Sequence, residues 1–187
     1  MAKERRILWA FDVGTLTGWA AGELSDRVPQ SGSWKLRGRA EHRAIGNSNL
    51  IAILNDLWME EKPLMVVKEA PIEIDGQTRL GNGAHGIRTT LSLHDHIESM
   101  CVRHGVPFEN APAGAVRKHF IGHGNLERDE AKRRVLARCK LLGMVPRDCE
   151  DLDRAEACAV FDYATATANA KKRLHGNELY LFGEVAR

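Results

Sequence analysis

The stretch Arg6-Ile7-Leu8-Trp9-Ala10-Phe11-Asp12-Val13-Gly14 decides how the rest of the chain is read. Five apolar residues run unbroken from Ile7 to Phe11, as in a strand covered on both faces, and the run ends on a carboxylate and a glycine. A tight turn leads to Thr17-Gly18-Trp19-Ala20-Ala21-Gly22, a second short strand, and Val28 to Leu36 gives a third. The order predicts an antiparallel meander at the start of the chain.

Apolar residues at helical spacing predict a helix from about Glu41 to Glu61, stopped by Pro63. Leu64-Met65-Val66-Val67-Lys68-Glu69 is a short apolar strand closed by Pro71. Residues 75–86 hold four glycines and read as a flexible loop. A helix from Ile87 to His104, a strand from Val106 to Ala111, and helices over Ala113–Phe120, Arg128–Leu142 and Leu152–Ala170 complete the pattern. Strands first, then helix and strand in alternation, predict an α/β fold with a mixed sheet and helices on both faces. The expected division is one domain over 1–170 and a tail over 171–187, where Lys171-Lys172-Arg173 precedes Leu179-Tyr180-Leu181-Phe182.

With 187 residues, 43% hydrophobic and 28% charged, the chain has the material for a single packed core, which excludes wholesale disorder. No apolar run approaches the roughly 18–20 residues of a membrane span. The apolar run after the charged start, Met1 to Arg6, is too short for a signal-peptide core, so a cytoplasmic location is expected. Cys101, Cys139, Cys149 and Cys158 form no Cys-x-x-Cys pair and are expected as free thiols rather than zinc ligands. The net charge is only +2, yet Arg117 to Lys140 carries eight basic residues against three acidic ones. That local excess is the weak form of a footprint for phosphates.

Asp12 and Glu69 each follow a buried apolar run, and Asp153 and Glu156 stand three apart at the start of an alanine-rich helix, on one face. Buried carboxylates are costly unless paired or bound to a cation. Hard oxygen donors of this kind suit Mg²⁺ or Mn²⁺. Two such ions about 3.5–4 Å apart can drive in-line hydrolysis of a phosphodiester without a protein nucleophile.

These residues resemble the RuvC-type Holliday-junction resolvases of the RNase H-like superfamily. Phe11-Asp12-Val13-Gly14 with Thr17-Gly18-Trp19-Ala20 resembles the family's first motif, Met65-Val66-Val67-Lys68-Glu69 its second, and Asp153-Arg154-Ala155-Glu156 with the following alanines its last. Val13 stands where the family often has proline, and Glu156 where it commonly has aspartate; Asp151 is a nearby competitor for a ligand role. These departures suggest a divergent, phage-type branch. The resemblance implies an RNase H-like mixed five-stranded sheet, an antiparallel meander followed by parallel strands, flanked by helices.

It further implies a metal-dependent endodeoxyribonuclease that resolves four-way DNA junctions. Asp12, Glu69, Asp153 and Glu156 would hold two Mg²⁺ or Mn²⁺ ions, and Lys118 would act in catalysis beside the scissile phosphate. Arg79, Arg88, Arg117, Lys118, Arg128 and Lys132 would contact DNA, with Arg79 on the glycine-rich loop. The helix from Ile87 to Val102 resembles the family's dimer helix, so a homodimer matching the twofold junction is expected. No membrane and no nucleotide cofactor are expected.

Three other readings share parts of this pattern. Asp12-Val13-Gly14-Thr15 also resembles the phosphate turn of actin-like sugar kinases and chaperone ATPases, but those folds need two lobes and far more residues. A less selective branched or flap DNA nuclease, or a non-catalytic junction-binding protein, would share this fold.

Overall fold

The structure, a computed structural model, describes residues 6–38, 40–71 and 84–183, with side chains in the last segment described for 86–168. Its elements are β1 (Ile7–Asp12), β2 (Leu16–Glu23), β3 (Gln30–Lys35), α1 (Arg43–Glu60), β4 (Met65–Glu69), α2 (Ala84–His104), β5 (Phe108–Ala111), α3 (Ala113–Ile121), α4 (Arg128–Leu141) and α5 (Leu152–Gly183). The strands form one mixed sheet in the order β3-β2-β1-β4-β5. β1, β2 and β3 pair antiparallel, while β4 and β5 add in parallel to β1 and β4. This is the expected meander followed by parallel strands.

Alternation along β1 sorts its side chains between two cores. Ile7, Trp9 and Phe11 pack with Val66 against α1 and α2, through Leu50, Leu54, Trp58, Leu93 and Ile97. Leu8 and Ala10 pack with Val67 against α3, α4 and α5, through Val116, Phe120, Val135, Ala155 and Ala159. Period two carries the same division to the strand ends. Asp12 and Glu69 share the faces of Ala10 and Val67, towards α5, whereas Lys68 shares the face of Val66, towards α2.

Two expectations shift. α2 starts at Ala84, so residues 84–86 of the predicted loop are helical; the remainder of that loop, with Arg79, lies outside the described residues. α5 continues as helix to Gly183, well beyond Ala170 and through most of the predicted tail. On α2, His94 and Ile97 are buried within this one chain, so those two positions of the expected dimer helix are core. The four cysteines are free thiols. Among the described residues no helix is long and apolar enough to cross a membrane.

Candidate active site

The Thr-Gly-Trp-Ala stretch explains how α5 reaches the sheet. Thr17 Oγ1 donates to Gly14 O at 2.6 Å and closes the turn after Asp12. Gly18 pairs with Asp12 across β1 and β2 and faces α5; a Cβ built on it would collide with the carbonyl of Asp153. Trp19 turns to the opposite face and stacks on Trp34, with ring centroids 5.6 Å apart. Ala20 lies buried beneath α5. A missing side chain at position 18 thus brings the first turn of α5 beside Asp12.

That first turn is held by Asp151, not by either predicted ligand on the helix. Asp151 Oδ1 accepts from the Arg154 N–H at 2.9 Å, and its Oδ2 accepts from Ser33 Oγ at 2.6 Å. This is an N-cap, and both carboxylate oxygens are engaged in tying α5 to β3. Asp151 is therefore no competitor for a ligand role. Arg154 reinforces the tie through Ser31 Oγ at 2.9 Å.

β1 and β4 run parallel with Phe11 opposite Lys68, so Asp12 and Glu69 emerge at the same end of the sheet. Asp12, Glu69, Asp153, Arg128 and Lys132 line one cavity of about 380 Å³, together with Gly14, Thr15, Arg37, Thr89, Thr90 and His94. Lys132 on α4 reaches in between the acids: its Nζ lies 2.6 Å from Asp153 Oδ1 and 3.6 Å from Asp12 Oδ2. Glu156, one helical turn on from Asp153, is fully buried and pairs with Arg117 Nη2 at 3.3 Å. Its other oxygen, Oε2, is buried without a hydrogen-bond partner.

Crowded acids show their strain as retained protons. Burial first, then the Glu156 and Asp153 carboxylates, push Asp12 from 3.8 up to about 6, against the opposing pull of Lys132. Burial, then Asp12 and Glu156, push Glu69 from 4.5 up to about 8. Burial by itself would lower the Lys132 pKa, but the Asp12 and Asp153 carboxylates outweigh it and the net shift is upward.

Asp12, Glu69 and Asp153 share the cavity, while Glu156 is buried one helical turn beyond Asp153 and is not part of the lining. Among the described residues no three His, Cys, Asp or Glu side chains stand close enough to ligate one ion. Lys132 and Arg117 supply the positive charge between them. The donor set still fits a hard divalent cation: every donor is a carboxylate oxygen, two acids are driven towards protonation, and one buried oxygen has no partner.

The remaining predicted residues fall in several places. Arg128 lines the carboxylate cavity and Arg88 is exposed on α2. Lys118 is exposed and lines a different, open pocket with Gly114, Gly122, His123, Gly124 and Asn125. The lysine at the acids is Lys132, which sequence reasoning placed only among DNA contacts. His119 meets Asp162 at 2.8 Å, away from the acids.

A buried polar cluster was missed altogether. Lys68, fully buried, sets its Nζ 2.9 Å from His94 Nδ1, 2.9 Å from Glu98 Oε1, and in contact with Asn110 Oδ1. Burial, then the Lys68 charge, push His94 down to about 3. The signal available in sequence was a lysine amid Met65-Val66-Val67, facing a helix with histidine and glutamate four apart at His94 and Glu98.

No protein-family model matches the chain, and no curated protein matches it in sequence. Solved structures do match. Thermus thermophilus RuvC superposes with a TM-score of 0.64 at 14% identity, over 88% of this chain and 96% of that one. T. thermophilus RuvC in complex with Holliday junction substrate gives 0.64 at 12% identity over the same shares. The yeast mitochondrial Holliday junction resolvase Ydc2 gives 0.47 at 10% identity over 94% and 87% and lies below the level at which a common fold can be argued. The fold is therefore the RNase H-like fold of RuvC, with the sheet order and helix layers described above.

Proposed function

We propose that this chain is a divalent-metal-dependent endodeoxyribonuclease that resolves four-way DNA junctions by paired symmetric nicks, acting as a homodimer. One observation carries the reading: acids from β1, β4 and α5 converge at one end of a RuvC-like sheet and share a cavity with Lys132 and Arg128. The likeness to RuvC solved with a Holliday junction supports branched DNA as the substrate class.

Asp12, Glu69, Asp153 and Glu156 are the residues that would hold Mg²⁺ or Mn²⁺. When bound, two such ions supply an activated water and charge stabilisation at the leaving oxygen. The protein's own part is positioning. Asp151 caps and anchors α5 so that Asp153 stands over Asp12. Arg117 holds one oxygen of Glu156 and leaves the other free. Lys132 opposes the upward push on Asp12, pairs with Asp153 and, with Arg128, offers positive charge to a phosphate. Arg88, Arg117, Lys118 and Arg79 extend the phosphate contacts, and Lys118, expected from the resemblance at the scissile phosphate, contacts the strand from the neighbouring pocket. A twofold dimer would present two such sites to the two opposed strands of a junction.

The test is incubation with a synthetic four-way junction, a flap and a linear duplex of equal length, with Mg²⁺, Mn²⁺ or EDTA. Paired symmetric nicks in the junction, dependent on metal, are expected. Cleavage of all three substrates alike would refute junction selectivity, and no cleavage with either ion would refute the nuclease reading.

A further inference from the structure

We propose that His94 is a substrate-contacting residue of the carboxylate cavity, its Nε2–H donating to a phosphate oxygen of the bound strand, with Lys68 as the positioning residue that fixes this tautomer. The inference deepens the nuclease reading and rests on it.

The argument is an account of protons. A lysine ammonium has three N–H donors and no acceptor. Lys68 is wholly buried, so water cannot serve them. Three acceptors are at hand: His94 Nδ1, Asn110 Oδ1 and Glu98 Oε1. Glu98 neutralises the charge, as a buried ammonium requires. For Nδ1 to accept, it must be the unprotonated ring nitrogen, so the neutral ring carries its single proton on Nε2. A second proton on Nδ1 would point into the ammonium.

His94 also lines the carboxylate cavity beside Thr89 and Thr90, although only 4% of its surface is exposed. With Nδ1 turned to Lys68, Nε2 is the ring nitrogen left to serve the cavity. The site thereby holds a donor that stays neutral amid acids. A charged imidazolium there would compete with cations for the carboxylates; a neutral Nε2–H can bind a phosphate oxygen without doing so. The other nitrogen-bearing side chains that line the cavity, Arg37, Arg128 and Lys132, are all cations.

Two substitutions separate the ring's two edges. His94→Asn keeps an oxygen where Nδ1 accepts from Lys68 and removes the donor at Nε2. His94→Gln keeps a donor near Nε2 and removes the acceptor. In single-turnover cleavage of a four-way junction, His94→Asn is expected to be roughly 10- to 100-fold slower, the effect of losing one hydrogen bond to a charged group, with junction affinity within about twofold of wild type. His94→Gln should recover most of the rate while melting at a lower temperature. Nitrogen-15 NMR of the wild-type protein at pH 7, without metal or DNA, should show the Nε2–H tautomer. An Nδ1–H tautomer, or equal cleavage by wild type and His94→Asn, would overturn the inference and leave the nuclease reading standing. A wild type that does not cleave would overturn both.

Discussion

Replacing Asp12 by Asn should make the metal-free protein more stable while destroying its cleavage. The carboxyl at position 12 is pushed from 3.8 to about 6. An acid whose folded pKa is raised favours folding while it is protonated, and that contribution is lost as pH rises through the folded value. The stability of the wild type should therefore fall between about pH 4 and pH 6, and stay lowered at pH 7. At about 1.4 kcal/mol per pH unit, the difference between 3.8 and about 6 corresponds to about 3 kcal/mol of penalty carried by the ionised group. Asn resembles the protonated acid in shape and charge, so it escapes that penalty. Lys132 keeps its partner Asp153 at 2.6 Å, so no buried ammonium is stranded. For a chain of this size about 2–4 °C per kcal/mol is usual, which predicts a rise in Tm of roughly 6–12 °C at pH 7 in EDTA.

The assay is calorimetric or fluorescence melting of both proteins at pH 4 and pH 7, with EDTA and with excess Mn²⁺. The gain from Asp12→Asn should be small at pH 4, full at pH 7, and diminished by Mn²⁺, which stabilises only the protein that retains the carboxylate. A variant that melts at or below wild type at pH 7 in EDTA would refute the claim that burial and neighbouring acids strain Asp12.

Gly18→Ala should lower both Tm and cleavage, because the new methyl meets the Asp153 carbonyl and must push α5 off β2; overpacking of this kind costs about 1–3 kcal/mol, and a wild-type melting profile would refute the close approach. Asp151→Ala should cost about 1 kcal/mol as a lost cap yet keep the metal response, whereas Asp153→Asn should keep the cap and lose cleavage; loss of the Mn²⁺-induced rise in Tm by Asp151→Ala would reverse the two roles. Lys132→Met should cut single-turnover cleavage at least about tenfold, as loss of a charge aimed at the reacting phosphate does. Lys118→Ala, changed at an exposed position in the neighbouring pocket, should weaken junction binding more than it slows the chemical step; a lower single-turnover rate at saturating junction would place Lys118 at the reacting phosphate instead.

The meander and the three acidic segments were readable in the chain because each is a local pattern, whereas the parallel pairing came only with the family resemblance. An unbroken apolar run such as Ile7–Phe11 has only one economical environment, between two layers, and a carboxylate at its end must emerge where the strand ends. Spacing of three put Asp153 and Glu156 on one helical face before any fold was known. Asp151, read from the sequence as a competitor for a ligand role, caps the helix instead, and nothing local showed that its second oxygen would be taken by Ser33, 118 residues away.

What the chain could not reveal is which polar groups meet across elements. Lys118 and Lys132 are equally plausible partners for the acids by composition; only the packing of α4 on α5 seats Lys132 between Asp12 and Asp153 and leaves Lys118 in solvent. Lys68 looks like an ordinary strand lysine until α2 closes over it and supplies His94 and Glu98. The chain by itself determined the layers and where the carboxylates had to surface, because periodic burial is a property of neighbours in sequence. Tertiary structure alone decided which cations answer those carboxylates, because charge pairing depends on distance in space, and residues such as Asp12 and Lys132 acquire that distance only when the sheet and its helices have packed.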